Sequence, residues 1–191
     1  MNAVVADVVA GLTPGRALDL GCGEGGDTLG LAALGWQVTA VDVSDTVLRR
    51  VQGRAQAAGL GERVSIERHD LTETVPDATF DLVSAAYLQS PIDLDRAALL
   101  RSVALTVAPG GLMLVVDHGS TAPWLWDQHP DTRFPTPAEV FTELGLPAQE
   151  WRAERLDTPS READGPGDQI ATVTDIVVAA RRLPKAQGPT A

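Results

Sequence analysis

Residues 16 to 27 read RALDLGCGEGGD, an apolar run that ends in an acid and opens into four glycines. Glycines this dense let a backbone turn tightly and bring its N–H groups close to a ligand. Two counts are possible. Gly21-x-Gly23-x-x-Gly26 is the spacing that seats a dinucleotide pyrophosphate at a helix N-terminus. Asp19 followed by Gly21-x-Gly23-x-Gly25 instead sets a carboxylate beside the turn, ready for a cationic group. The same turn carries Glu24 and Asp27. Two like charges about 4 Å apart cost roughly 4 kcal/mol at an effective dielectric of 20. Such an acidic collar disfavours pyrophosphate, although Asp27 alone would also serve as a helix N-cap.

Two more acids close the next apolar runs. Asp42 ends VTAVDVS, nineteen residues beyond Gly23, and Asp70 ends IERHDL. Asp42 suits a pair of ribose hydroxyls, as NAD or any other nucleoside would offer. Asp70 suits an exocyclic amino group, and Asp19 an ammonium. A nucleoside with an ammonium and a positive centre but no phosphate would satisfy all three. S-adenosylmethionine is such a molecule.

These acids need elements to bring them together. Strand-like runs lie at 17–20, 37–43, 63–70, 80–87 and 111–118, with helical patterns at about 27–34, 44–58 and 93–107. The third helix is expected to start after Pro91 and stop at Pro109-Gly110-Gly111. The runs are continuously apolar rather than alternating, which suits a parallel sheet covered on both faces. Strands alternating with helices give a doubly wound α/β sheet, whose strand ends converge on a ligand crevice. A helix near 136–144 then leads to a strand at 149–157. The link TPSREADGPGD is too short and too rich in Pro and Gly for a crossover, so it reads as a turn before the strand QIATVTDIVVAA. A turn-like link joins antiparallel neighbours, and the sheet should finish as an antiparallel hairpin. One domain over 1–183 and a disordered tail over 184–191 complete the layout.

Composition narrows the partners. The 191 residues carry 26 acidic and 15 basic side chains, a formal charge of −11 with no basic cluster. Phosphate backbones are repelled by such a surface, so nucleic acid is not expected. A lone cysteine, Cys22, fits a reducing, cytoplasmic setting, and its place in the glycine loop asks for small size rather than reactivity. No apolar run approaches a membrane span, and MNAVVADVVAGL lacks the basic start of a signal peptide. His69, His118 and His129 share no metal-ligand spacing, so no metal is expected.

With LDLGCGEG, VDVS, HDL, FDLVSAAYL and APGG in this order, the chain resembles the class I S-adenosylmethionine-dependent methyltransferases over nearly its whole length. The stretch GCGEGGDTLGLAALGWQVTAVDVS is most similar to the tellurite-resistance-type, small-molecule members. The resemblance implies a Rossmann-like methyltransferase fold, a mostly parallel seven-stranded sheet whose last strand is antiparallel. It implies that Asp19 binds the methionyl ammonium and that the backbone at Gly21, Cys22, Gly23 and Gly25 lies against the cofactor. Asp42 would take the ribose hydroxyls with Val43 beside the adenine. Asp70 and the Leu71 N–H would take the adenine amino edge, and Ala85 would lie in the fourth-strand loop along the methionyl part. Such enzymes usually carry a longer N-terminal segment than the fifteen residues before Arg16, which leave room for one helix at about 2–11. The amino-methylating nucleic-acid enzymes carry Asn/Asp-Pro-Pro-aromatic after the fourth strand, where this chain reads SAAYLQSP.

The acceptor side is sparser. Tyr87 and His118 end the fourth and fifth strands and point to one crevice, which makes them candidate catalytic residues. An anionic or soft acceptor needs no base, whereas a hydroxyl would call on His118. The segment 119–135, with Trp124, Trp126 and Phe134, has no period and is expected either to cover the acceptor pocket or simply to pack. The expected function is methyl transfer to a small soft anion, thiol or hydroxyl. An NAD-dependent oxidoreductase, or a cofactor-binding protein without transferase activity, is the alternative.

Overall fold

The computed structural model describes residues 1–88, 95–124 and 133–184. Eight strands form one sheet: β1 (Arg16–Leu20), β2 (Gln37–Asp42), β3 (Val64–Arg68), β4 (Phe80–Ala86), β5 (Val107–His118), β6 (Trp151–Asp157), β7 (Ser160–Asp164) and β8 (Ile170–Arg182). The order is β3-β2-β1-β4-β5-β8-β6, with β7 pairing β8 off this path. Pairings among β1 to β5 are parallel, and β8 runs antiparallel to β5, β6 and β7. The strand order reverses between β1 and β4, so a crevice opens at their carboxyl ends.

Alternate residues of the central strands feed two cores. Leu112, Leu114 and Val116 of β5 face one, and Met113 and Val115 face the other. The first core is closed by α1 (Ala3–Val9), α2 (Gly26–Ala33) and α3 (Asp45–Ala57), the second by α4 (Arg96–Ala104) and α5 (Pro137–Glu143). Local chemistry starts each helix where the sequence offers an acceptor. Asn2, Ser44, Asp95 and Thr136 each accept a backbone N–H of the first turn, and Thr136 forms a reciprocal capping box with Glu139. In α3, Leu48, Val51 and Ala55 recur at three and four and supply its buried face. Helix α1 is also tied to the far edge of the sheet, where Arg155 of β6 donates to Asp7 at 2.7 Å.

Three expectations are corrected. Pro109-Gly110-Gly111 lies inside β5 rather than ending a helix; α4 stops at Ala104, and Val107 already pairs with Phe80. The register then shifts before Leu82 meets Leu112, so the glycines sit in an irregular stretch of strand. Secondly, the link at 158–168 is no simple turn, because it contains β7, and the sheet has eight strands rather than seven. Asp157 opposite Val177 and Ser160 opposite Thr174 share one register, so β7 prolongs β6 along the same edge of β8. The reason is backbone accounting. β5 and β6 pair β8 only from Asp175 onward, and β7 pairs residues 170–174 along one edge, taking the N–H and C=O groups that point that way. Thirdly, β3 is a half-exposed edge strand rather than a run buried on both faces. The N-terminal part of the helix expected at 93–107 and all but Pro184 of the expected tail lie outside the described residues.

Because Leu114 is wholly buried at the sheet centre and Leu105 is 73% exposed, the two should respond oppositely to truncation. Urea unfolding is expected to show a loss of about 2–5 kcal/mol for Leu114→Ala. Leu105→Ala should change stability by no more than about 0.5 kcal/mol.

Candidate functional site

The glycine turn decides between the two counts. Gly21, Gly23 and Gly25 all adopt left-handed φ, at 64°, 50° and 75°, whereas Gly26 is the first residue of α2 and does not. The spacing that the backbone requires is therefore the one led by Asp19. Crowding adds to it: a Cβ on Gly21 would stand 2.6 Å from Leu88 Cδ1, and one on Gly25 would stand 2.8 Å from Val51 Cγ2.

The turn is pinned by hydrogen bonds to β2. Cys22 N–H donates to the Val41 carbonyl at 2.9 Å, and Gly23 N–H donates to Asp42 Oδ2 at 3.2 Å. Asp42 Oδ1 accepts from Ser44 N–H at 2.9 Å. A carboxylate has about four lone-pair directions, so Asp42 keeps acceptor capacity on each oxygen. Val43 beside it is 50% exposed, an apolar side chain left open next to an acid.

Asp19 is the buried member, 3% exposed at the end of β1 and opposite Ser84 of β4. The Thr28 hydroxyl donates to its Oδ2 at 2.5 Å. Burial pushes its pKa from 3.8 to about 6, with Asp27 and Asp42 adding repulsion against the bonds from the Thr28 hydroxyl and N–H; among the described residues no positive side chain offsets them. A buried carboxylate with a hydroxyl but no cation has the donor set that an ammonium ligand would complete. Cys22 is buried as well, and desolvation lifts its thiol to about 12, so it is neutral and unreactive, as its packing role requires.

The acidic collar is not as the sequence suggested. Glu24 is exposed and turned to α3, where Arg50 and Arg54 pair with it. Asp27 is not an N-cap, since Gly25 holds that position; its Oδ1 accepts the Asn2 N–H at 2.5 Å and ties α1 to the turn. Asp70 lies at the turn after β3, where its Oδ1 accepts from both Thr72 N–H and Thr72 Oγ1, which holds its carboxyl below the usual range. Leu71 after it opens a cleft of about 520 Å³ that continues past Thr72 and Val75 to Asp95 and Leu99 of α4. Ala85 lies within β4, fully buried, rather than in the loop beyond it. That chain end is anchored by Arg96, which donates to the Leu88 carbonyl at 3.2 Å and to Asp117 at 2.6 Å.

On the other side of the crevice, the rings of Tyr87 and His118 stack at 4.4 Å with 20° between their planes. Tyr87 has a left-handed φ of 51°, a conformation that costs an L-residue roughly 1–2 kcal/mol. Two residues that sequence reasoning missed complete this cluster. His118 stands opposite Asp175 of β8, and Arg161 of β7 donates from Nε to Asp175 Oδ2 at 2.9 Å. Burial and then the Asp175 carboxylate push the Tyr87 phenol above its usual range, which keeps it protonated. The 119–135 segment divides. Trp124 packs on Gly165 at the β7–β8 turn, Phe134 packs on the second core, and Trp126 and His129 lie outside the described residues.

Among the described residues no cluster of His, Cys, Asp and Glu is arranged to hold a metal ion, and no helix is long and apolar enough to cross a membrane.

A family model described as a methyltransferase domain matches residues 17–111. The 27-O-demethylrifamycin SV methyltransferase of Amycolatopsis mediterranei is 36% identical over 120 residues, 59% of this chain and 43% of that protein. The ubiquinone biosynthesis O-methyltransferase of Caulobacter is 36% identical over 102 residues, 52% and 39% of the two chains. The matched stretch is thus less than half of either relative. Among solved structures, TehB from Haemophilus influenzae superposes with a TM-score of 0.74 at 18% identity, covering 95% of this chain and 62% of its own. A protein from the study of disulfide-to-thioacetal conversion in echinomycin biosynthesis gives 0.71 at 27% identity, with 97% and 82% covered.

The Asp19 carboxyl holds its proton more tightly folded than unfolded. Its protonated form therefore stabilises the ligand-free protein below about pH 4, and that contribution fades as pH rises to about 6. The full cost at neutrality is about 3 kcal/mol. Asp19→Asn, whose amide oxygen can still accept from Thr28, should raise ligand-free stability at pH 7.5 and change little at pH 4. Urea unfolding at the two pH values checks it; equal effects at both would refute it.

Proposed function

The chain belongs to the class I S-adenosylmethionine-dependent methyltransferases, and on that premise we propose that it methylates a small-molecule acceptor at the ends of β4 and β5. The observation that carries the reading is the glycine turn, left-handed at Gly21, Gly23 and Gly25 and pinned to Asp42 beside the buried, cation-free Asp19. Bound there, S-adenosylmethionine would supply an electrophilic methyl carbon on a sulfonium. Asp19 would hold the ammonium, and a cation at that point relieves the cost of its burial. Asp42 would accept the ribose hydroxyls on the lone pairs that Gly23 and Ser44 leave, and exposed Val43 would give the adenine an apolar face. The amino edge of that ring would fall to the free oxygen of Asp70 and the Leu71 N–H. Backbone at Gly21, Cys22, Gly23 and Gly25 would approach the cofactor without side-chain interference, with Ala85 providing small buried surface on β4.

Tyr87 and His118 would line the acceptor side. Holding a nucleophile in line and at near-attack distance can contribute most of the acceleration when the leaving group is already good. Among the described residues no side chain orients either ring nitrogen of His118, and a general base is normally held by such a partner. That favours an acceptor needing no base, a soft anion or thiol over a neutral hydroxyl. The acidic surface supports a small acceptor and not a nucleic acid, and the single thiol supports a cytoplasmic setting for one domain spanning 1–183.

Calorimetry should detect S-adenosylmethionine or S-adenosylhomocysteine, with Asp42→Ala weakening either by at least about tenfold through loss of the turn's anchor. Tight NADH binding with no heat from S-adenosylmethionine would end the reading. With a confirmed acceptor, His118→Ala should cost less than about tenfold in turnover between pH 5 and 9, short of the range for general-base catalysis. A thousandfold loss would make this a base-assisted O-methyltransferase.

A further inference from the structure

The β7–β8 hairpin extends past the carboxyl end of β5, because β8 continues through 170–174 beyond the point where Asp175 faces His118. It therefore forms a wall on the acceptor side of the crevice. The chain after β5 is fastened to this wall: Gly119 N–H donates to the Thr174 carbonyl, and Thr174 N–H donates to Ser120 Oγ, both at 2.8 Å.

The wall presents one cation. Arg161 is 36% exposed at its side chain, and its guanidinium carbon lies 5.9 Å from the centre of the Tyr87 ring. Asp175, its partner, is 1% exposed. Asp175 Oδ2 takes the Arg161 Nε–H, while Oδ1 is buried with no hydrogen-bond partner. An unpartnered buried oxygen is costly. Asp175 grips Arg161 by Nε and leaves its terminal N–H groups to other partners, the Tyr87 hydroxyl among them. Of five guanidinium donors, Asp175 and the Tyr87 hydroxyl engage at most two. The terminal pair of N–H groups matches the two oxygens of a carboxylate. Asp175 itself is sealed behind Arg161, so a cationic amine has no route to its carboxylate. On a protein of charge −11, an anionic ligand needs a local cation, and Arg161 provides it beside an aromatic stack in which His118 is exposed and Tyr87 half-buried.

We propose that Arg161 is a specificity residue of the acceptor pocket, selecting a methyl acceptor that carries a carboxylate on a flat body resting against the Tyr87–His118 stack. Asp175 is the positioning residue that fixes the plane of the guanidinium. This rests on the methyltransferase reading, and the test separates the two. Wild-type protein saturated with S-adenosylhomocysteine is titrated, by ligand-observed NMR, with benzoate, phenylacetate and 4-hydroxybenzoate, each against its primary amide. The carboxylates should bind at least about tenfold more tightly than the amides, since a charge-assisted pair exceeds a neutral bond by that order. Arg161→Gln should abolish the preference, Arg161→Lys should retain part of it, and both should keep S-adenosylhomocysteine affinity. If Arg161→Gln does not fold, the wild-type and Arg161→Lys comparisons decide alone. Equal binding of acids and amides, or a preference that survives in Arg161→Gln, overturns the proposal. Failure of S-adenosylhomocysteine to bind at all overturns the methyltransferase reading instead.

Discussion

The hydrogen bonds that Asp42 accepts from Gly23 and Ser44 hold the working end of this molecule together. One carboxylate fixes the far side of a turn that three left-handed residues would otherwise leave mobile, and it also sets the start of α3, whose cap is Ser44. The parallel pairing of β1 with β2 places Asp42 one strand away from Asp19, so turn, acid and helix share a single register. A slip of one residue between these strands would turn Asp42 to the other face and release the turn. The apolar alternation along the strands, which feeds two separate cores, is what forbids that slip.

Two buried carboxylates show opposite ways of keeping a charge in a protein interior. Asp175 is paired with Arg161 at 2.9 Å and so remains a fixed part of the frame. Asp19 has only the hydroxyl and N–H of Thr28, and burial raises its carboxyl to about 6 with no cation among the described residues to balance it. The first has its counter-ion within the chain; the second, among the described residues, has none. On the proposed reading, that difference separates the cofactor side of the crevice from its frame side. Truncating Asp175 and truncating Asp19 therefore have different meanings: one unsettles an arginine, the other removes the carboxylate proposed to hold the ammonium.

The glycine turn was legible in the sequence because it depends on backbone. Left-handed turns demand glycine, strand ends demand a break in apolar character, and both are written as residue type at fixed spacing. The argument from Glu24 and Asp27 failed for a physical reason, since side chains at a turn can face either way. Arg50 and Arg54, one helix away, decided the direction of Glu24. Asp70, too, is partly occupied by its own turn through Thr72, a local bond that is common for Asp and leaves no distinctive pattern. β7 was invisible because SREAD has no apolar face to give a period of two. It exists only to pair the overhang of β8, a long-range demand that no local window contains.

On the proposed reading, that overhang gives a general cofactor fold its own acceptor wall. Had β8 ended level with β5, Asp175 would have closed the strand and nothing would carry Arg161. The length of one strand thus sets the chemistry of a neighbouring pocket, through pairing that must be satisfied before any side chain is placed. Tyr87 fits the same logic. Its left-handed backbone has a cost that the turn after β4 must sustain, and the Tyr87 N–H bond to the Val116 carbonyl at 2.8 Å sustains it. The strained residue lies between the two halves, in sequence after the strand that borders Asp19 and in space against the stack that faces Arg161. A crevice built this way can exchange its acceptor wall by altering the β7–β8 hairpin while the glycine turn and Asp42 stay untouched. On the proposed reading, the short core motif holds the cofactor and the strand overhang sets the specificity.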